Sequence, residues 1–116
     1  SHDGLDEVSI FSPATFYKKI NGKTVKETIS NHKYKKYFSS KPKFKDIKGK
    51  DPKYNADRLI ELFQGKKDSY RDIVIINALH AIQLIKPNLS FDNYFEQLSY
   101  ALDNNVAINH LKNLQK

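Results

Sequence analysis

Cysteine, methionine and tryptophan are all missing from this 116-residue chain. Without cysteine there can be no disulfide scaffold, no thiolate metal centre and no thiol nucleophile. Glycine is scarce, and the four present (Gly4, Gly22, Gly49 and Gly65) are too dispersed to form a loop that cradles phosphate. Only two of the twenty basic residues are arginine, the residue favoured for base readout and bidentate phosphate recognition. Long apolar runs are absent as well: Ile73-Val74-Ile75-Ile76 falls far short of a membrane span, and no secretory or lipidation signal is visible. A cytoplasmic protein with no membrane partner is therefore expected. With no methionine even at its start, the chain is expected to begin at a processed or trimmed end, or at a tag remnant in Ser1-His2. His2, His32, His80 and His110 have neither ligand spacing nor a nucleophile to serve.

What the chain has in excess is lysine, placed unevenly. Residues 1–17 carry only Asp3, Asp6 and Glu7, whereas residues 18–53 carry thirteen lysines against Glu27, Asp46 and Asp51. The remainder is balanced, with seven basic and seven acidic side chains. A basic block of this kind can be a footprint for nucleic acid or anionic lipid. The preference for lysine over arginine, alongside abundant Asn and Ile, favours a solvated surface that has drifted basic, and nucleic acid is not the expected partner.

Three segments are expected: strands and a hairpin over 1–29, a basic loop over 30–50, and helices over 51–116. Val8 to Ser12 reads as a short strand stopped by Pro13. Asn21-Gly22 between two β-prone stretches signals a two-residue turn, which sets Ile20 opposite Lys23, Lys18 opposite Val25 and Phe16 opposite Glu27. Tyr34, Tyr37, Phe38 and Phe44 interleave with lysine. That pattern suits either a single-stranded nucleic-acid stacking face or a long loop pinned down by its rings, and the loop is preferred. Asp51-Pro52 starts a helix and Gly65 ends it. Ser69 with Asp72 resembles a capping box. It opens a helix over 70–85 that is apolar nearly all round, as a central buried helix is. Asn77, His80 and Gln83 form its one polar stripe. Ser90 caps an amphipathic helix, Asp103-Asn104-Asn105 breaks it, and a short last helix follows. Adjacent helical residues do not face each other, so Arg71 and Asp72 are expected to reach other segments rather than pair. Asn77 is expected to satisfy a nearby backbone group.

The chemistry-bearing feature is Asp6-Glu7, within Asp3-Gly4-Leu5-Asp6-Glu7. Two neighbouring carboxylates after a glycine turn are hard oxygen donors, suited to a Mg²⁺ that also holds substrate phosphates. Adjacent acidic residues are also common on plain surface turns, and the residues alone leave both readings open. Such a pair normally follows a strand that presents it at a pocket, and only five residues precede it here. The chain is therefore expected to be the tail of a larger enzyme.

Three stretches, in order, resemble the C-terminal third of the anthranilate phosphoribosyltransferase family. They are Asp3-Gly4-Leu5-Asp6-Glu7-Val8-Ser9, then Asn55-Ala56 with Leu62 through Gly65, and Arg71-Asp72-Ile73-Val74-Ile75-Ile76-Asn77-Ala78. Leu89-Ser90 and the ending from Ala107 to Leu111 fit too. Asn104-Asn105-Val106 departs from the family's Ser-Gly-Lys, and Ala78-Leu79-His80 from its alanine-rich run.

The resemblance implies an α/β fold: a small, mainly antiparallel β-ribbon followed by three to four helices, cut from a larger parallel-sheet phosphoribosyltransferase domain. It implies Asp6 and Glu7 as ligands of a Mg²⁺ cofactor, with 5-phosphoribosyl-1-diphosphate and anthranilate as substrates of the intact enzyme. The family's diphosphate loop and anthranilate pocket lie upstream of the matching part, so no catalytic or substrate-binding residue carries over and the chain alone is expected to be inactive. An N-terminal half or self-association would then cover its apolar surface. The alternatives are a stand-alone basic module using residues 18–53 on nucleic acid, or the structural half of a split enzyme.

Overall fold

The structure is a computed structural model that describes residues 1–116. Its only sheet is an antiparallel ribbon of β1 (Ala14–Ile20) and β2 (Lys23–Ile29). The pairing runs Ile20 to Lys23, Lys18 to Val25 and Phe16 to Glu27, the register that the Asn-Gly turn requires. Asn21 and Gly22 both have positive φ (49° and 77°), as a type I′ turn demands. The ribbon is peripheral. Only Ala14 and Ile29, at its open end, are buried, and lysines line the rest.

Four α-helices follow: α1 (Pro52–Phe63), α2 (Ser69–Ile85), α3 (Phe91–Asp103) and α4 (Val106–Leu114). Asp51 caps α1 by accepting from the Tyr54 amide, with Pro52 in the first turn. Its C-terminus is a Schellman motif, in which Lys66 N–H reaches Glu61 C=O and Gly65 N–H reaches Leu62 C=O. Ser90 caps α3 through the Asn93 amide. Asn105 adopts the left-handed conformation (φ 62°) that turns the chain from α3 into α4.

Three expectations need correction. Val8 to Ser12 forms no strand. No neighbouring strand is there to pair with it, and side chains take its polar groups instead: Asn77 binds Val8 at both N–H and C=O, the Ser9 hydroxyl accepts from the Phe11 amide, and Asn31 donates to Ile10 C=O. Residues 30–50, expected as a loop pinned by its rings, are pinned in that way but are not all loop. They hold two 3₁₀ segments, Asn31–Tyr37 and Phe44–Ile47, and the first sinks Tyr34 and Tyr37 into the core. The cap of α2 is Asp68, which accepts from the Arg71 amide, not Ser69. Ser69 and Asp72 are spent elsewhere, on the Lys43 amide and on Ser39.

The core gathers around α2. Ile73, Ile75, Ile76 and Leu79 are buried against Ile10, Tyr34, Leu62, Tyr94 and Leu102. Burying each such side chain stabilises the fold by about 1.5–3 kcal/mol. The helix is not enclosed all round: Val74 is exposed, and Leu84 and Ile85 in the last turn are 75% and 79% exposed. Arg71, almost fully buried, makes a fork onto Asp103 (2.6 and 3.0 Å) and donates to Gly65 C=O, so the ends of α1 and α3 meet at the start of α2. That meeting leaves little room at Gly65 (φ 91°), where an added Cβ would lie 3.1 Å from Asp103 Oδ1 and 3.3 Å from Leu102 C=O.

Gly65→Ala is expected to lower stability by about 1–3 kcal/mol through left-handed strain and crowding together. Gly22→Ala, whose Cβ meets nothing within 4 Å, carries the strain alone. Urea midpoints of the two variants should rank in that order.

Candidate functional site: a carboxylate turn fastened to the central helix

The turn that carries Asp6 and Glu7 is held from both sides. On one side Asp3 accepts from the Leu5 amide (3.3 Å) and from the buried Ser9 hydroxyl (2.6 Å). Gly4, at φ 83°, allows the chain to bend between these contacts. Partial burial pushes the Asp3 carboxyl up, but hydrogen bonds from Ser9, Ser1 and the Leu5 amide outweigh it, so it lies below the usual carboxylate range. On the other side the Asn77 carboxamide accepts from Val8 N–H (2.8 Å) and donates to Val8 C=O (2.9 Å), and its second N–H bonds Ile73 C=O (2.8 Å). Asn77 does satisfy backbone groups as expected. What the sequence did not reveal is that two of them lie 69 residues away.

Between these anchors Asp6 and Glu7 are exposed, and neither carboxylate is engaged by a hydrogen bond or ion pair within the protein. No third His, Asp or Glu joins them to form a protein-only metal cluster. The donor set fits Mg²⁺ in the way that ion is usually held, by one or two carboxylates while water and substrate phosphates complete the shell.

Arg71 and Asp72 reach other segments, as expected. Arg71 goes to Asp103 and Asp72 to Ser39, whose amide and hydroxyl both bond Asp72 Oδ1. Asp103, read from the sequence only as part of a helix break, is thus the partner of a buried guanidinium. Its proximity to Arg71 comes from helix packing, which no spacing rule exposes.

His80, expected as a boundary residue of the polar stripe, sits in an aromatic box. It stacks on Phe16 (4.6 Å between centroids), meets Phe91 edge-on (4.9 Å) and shares a 2.8 Å hydrogen bond with Tyr34 Oη. Burial, with Lys18 and Lys33 nearby and Glu27 opposing them, pushes its pKa down to about 4. Burial pushes the Tyr34 hydroxyl up to about 12. The box borders a cavity of about 550 Å³ whose rim carries the pairs Lys18–Glu27 (2.9 Å) and Lys36–Asp92 (2.7 Å).

The lysine-rich segment does not present a row of stacking rings. Tyr34 and Tyr37 are buried, Phe38 is half-buried, and Phe44, the most open, leans edge-on against Phe11 (5.5 Å). No helix in the chain is long and apolar enough to cross a membrane.

A two-stranded antiparallel ribbon followed by four α-helices, with a doubly anchored carboxylate turn, defines an α/β unit. By sequence the chain is related to the anthranilate phosphoribosyltransferases, in agreement with the resemblance carried by its motifs. It is 30% identical to the anthranilate phosphoribosyltransferase of Thermoanaerobacter sp. (strain X514) over 109 residues, 94% of this chain and 31% of that protein. The corresponding protein of Methanococcoides burtonii is 32% identical over 114 residues, 97% of this chain and 31% of its own length. That of Pelagibacter ubique is 28% identical over 116 residues, 99% of this chain and 34% of its own. The chain therefore spans about a third of the length of the curated relatives it matches. No family model matches it.

Two outcomes test this geometry. Asn77→Ala should cost about 2 kcal/mol, since it leaves the N–H and C=O of Val8 without their partner, and amide exchange at Val8 should accelerate more than exchange in α3. His80 stays neutral in the fold down to about 4, while the unfolded chain takes up its proton near 6.5. Stability is therefore expected to fall as pH drops from about 6.5 toward 4. His80→Gln, which keeps a partner for Tyr34, should flatten that slope in a melting-temperature series.

Proposed function

We propose that residues 1–116 are the C-terminal part of an anthranilate phosphoribosyltransferase, a cytoplasmic enzyme of tryptophan biosynthesis, and that Asp6 and Glu7 are its Mg²⁺ ligands. The observation that carries this reading is the Asp3–Glu7 turn, a motif the family shares, which leaves both carboxylates exposed and uncommitted. When bound, Mg²⁺ supplies charge neutralisation of the diphosphate that leaves 5-phosphoribosyl-1-diphosphate as anthranilate's amine takes its place. The chain's own contribution is positional. Asp3, Ser9 and Asn77 fix the backbone on either side of the two carboxylates, so that only the two side chains must be ordered when the ion and substrate arrive.

Both substrates would meet residues belonging to the other two thirds of such an enzyme, including the strands of its larger parallel sheet. The four glycines here are scattered, and no run of them can wrap a diphosphate. The partner of this unit is then the upstream portion, in the same chain or as a separately encoded half. Self-association is the other means of covering exposed Leu84 and Ile85.

The test is anthranilate consumption with phosphoribosyl diphosphate and Mg²⁺. It compares the 116 residues alone with a chimera carrying them in place of the last third of the Thermoanaerobacter relative. No turnover is expected alone, and turnover in the chimera. Asp6→Asn and Glu7→Gln should each lower kcat/KM by on the order of a hundredfold, and normal turnover in both would remove them as ligands. Tight nucleic-acid binding by the chain alone, falling steeply with salt, would favour the basic-module reading.

A further inference from the structure

A second cleft lies between residues 10–11 and the segment 31–42, with a volume of about 560 Å³, and neither Asp6 nor Glu7 lines it. Its lining includes Lys35, Lys41 and His32 and not one carboxylate. Neither lysine takes part in any ion pair or side-chain hydrogen bond within the protein. This sets it apart from the cavity beside His80, where Glu27 and Asp92 already occupy Lys18 and Lys36.

The backbone that carries these cations is fixed. Lys35 lies in the 3₁₀ segment whose Tyr34 and Tyr37 are buried. Lys41 lies between two tethers, Ser39 on Asp72 (2.9 and 2.8 Å) and the Lys43 amide on the buried Ser69 hydroxyl (2.7 Å). Asn31 joins the two walls by donating to Ile10 C=O (3.2 Å). Asp72, the carboxylate behind the cleft, is fully buried and turned onto Ser39. The apolar part of the lining is Ile10 with the half-buried rings of Phe11 and Phe38.

Unpaired cations on a fixed backbone beside aromatic walls match a ligand with an anionic head and a flat body, which pays little ordering entropy on entry. We propose that this cleft binds a small phosphate monoester bearing a planar ring, its phosphate on Lys35 and Lys41 and its ring against Phe11 and Phe38. The proposal is independent of the phosphoribosyl-transfer reading.

The experiment is an amide-shift NMR titration of the full chain with adenosine monophosphate, and with uncharged adenosine, at about 0.15 M salt. Saturable shifts confined to Phe11, Asn31, Lys35, Ser40 and their neighbours are expected, with a Kd on the order of 1 mM or below. Adenosine should bind about tenfold more weakly, as should the monophosphate to Lys35→Gln/Lys41→Gln. The hairpin variant Lys23→Gln/Lys26→Gln should keep the original Kd within about twofold. An unchanged circular dichroism spectrum and urea midpoint would show that Lys35→Gln/Lys41→Gln still folds. Absence of saturation by about 10 mM, equal binding of adenosine, or equal weakening by the two variants would overturn the proposal, the last by reducing it to diffuse charge attraction.

Discussion

The carboxamide of Asn77 spans the N–H and C=O of Val8, and through that one residue the N-terminal turn is fastened to the central helix. A neighbouring β-strand would offer the same two contacts, one acceptor and one donor. Here a single side chain supplies them, with its remaining N–H returned to Ile73 in its own helix. The substitution matters because an unpaired buried backbone group costs about 1–3 kcal/mol, and Val8 leads directly into buried Ser9 and Ile10. Ser9 then serves twice, donating to Asp3 and accepting from Phe11. The order of the carboxylate turn is therefore inherited from α2, not from any regular structure around the turn itself.

α2 can play that part because, Val74 apart, the apolar side chains of its first two thirds are covered. Apolar side chains enclose Ile73, Ile75, Ile76 and Leu79, and most polar groups at its start have partners, Asp72 Oδ2 being the buried exception. Asp68 takes the Arg71 amide, Arg71 takes Asp103 and Gly65 C=O, and Arg58 reaches Asp68 at 2.9 Å. An ion pair with one buried partner, as Arg71 is here and Asp103 is not, is weak evidence for added stability, since desolvation offsets much of the attraction. Its contribution is registry: the fork of Arg71 fits only when the ends of α1 and α3 lie together. The far end of the helix is the opposite case, with Leu84 and Ile85 open to solvent and no polar group to explain them.

What could be read from the sequence was whatever depends on neighbours in sequence. Asn21-Gly22 determined the ribbon and its register, because a two-residue turn leaves no freedom in the pairing. Asp51, Pro52, Gly65 and Ser90 marked helix ends through local capping. The misreadings came where distant groups compete for the same atoms. Ser69 and Asp72 have the spacing of a capping box, yet Lys43 and Ser39 claim them, and Asp68 takes the cap. Val8 to Ser12 has strand composition, but strand structure needs a partner strand and side chains reached it instead. Of the candidate site, the identity of the carboxylates was legible from Asp6-Glu7. Their anchoring was not, since nothing local links Asn77 to residue 8.

The anchoring bears on what such a turn can do. Two ionised carboxylates on adjacent residues repel, weakly in water and more strongly as solvent is withdrawn. An exposed turn tolerates both charges, and each side chain remains free to swing toward a cation while the backbone beneath stays fixed. Two such donors leave most of the shell of a hard divalent ion to water. Retention of the ion must then depend on further oxygen ligands brought by a substrate. A site built this way would couple metal to substrate: the ion is held firmly only when a diphosphate is present, and the diphosphate is neutralised only when the ion is. Such coupling suits transfer of a group from a diphosphate. Under the proposed function, the turn needs neither a third carboxylate nor a histidine beside it.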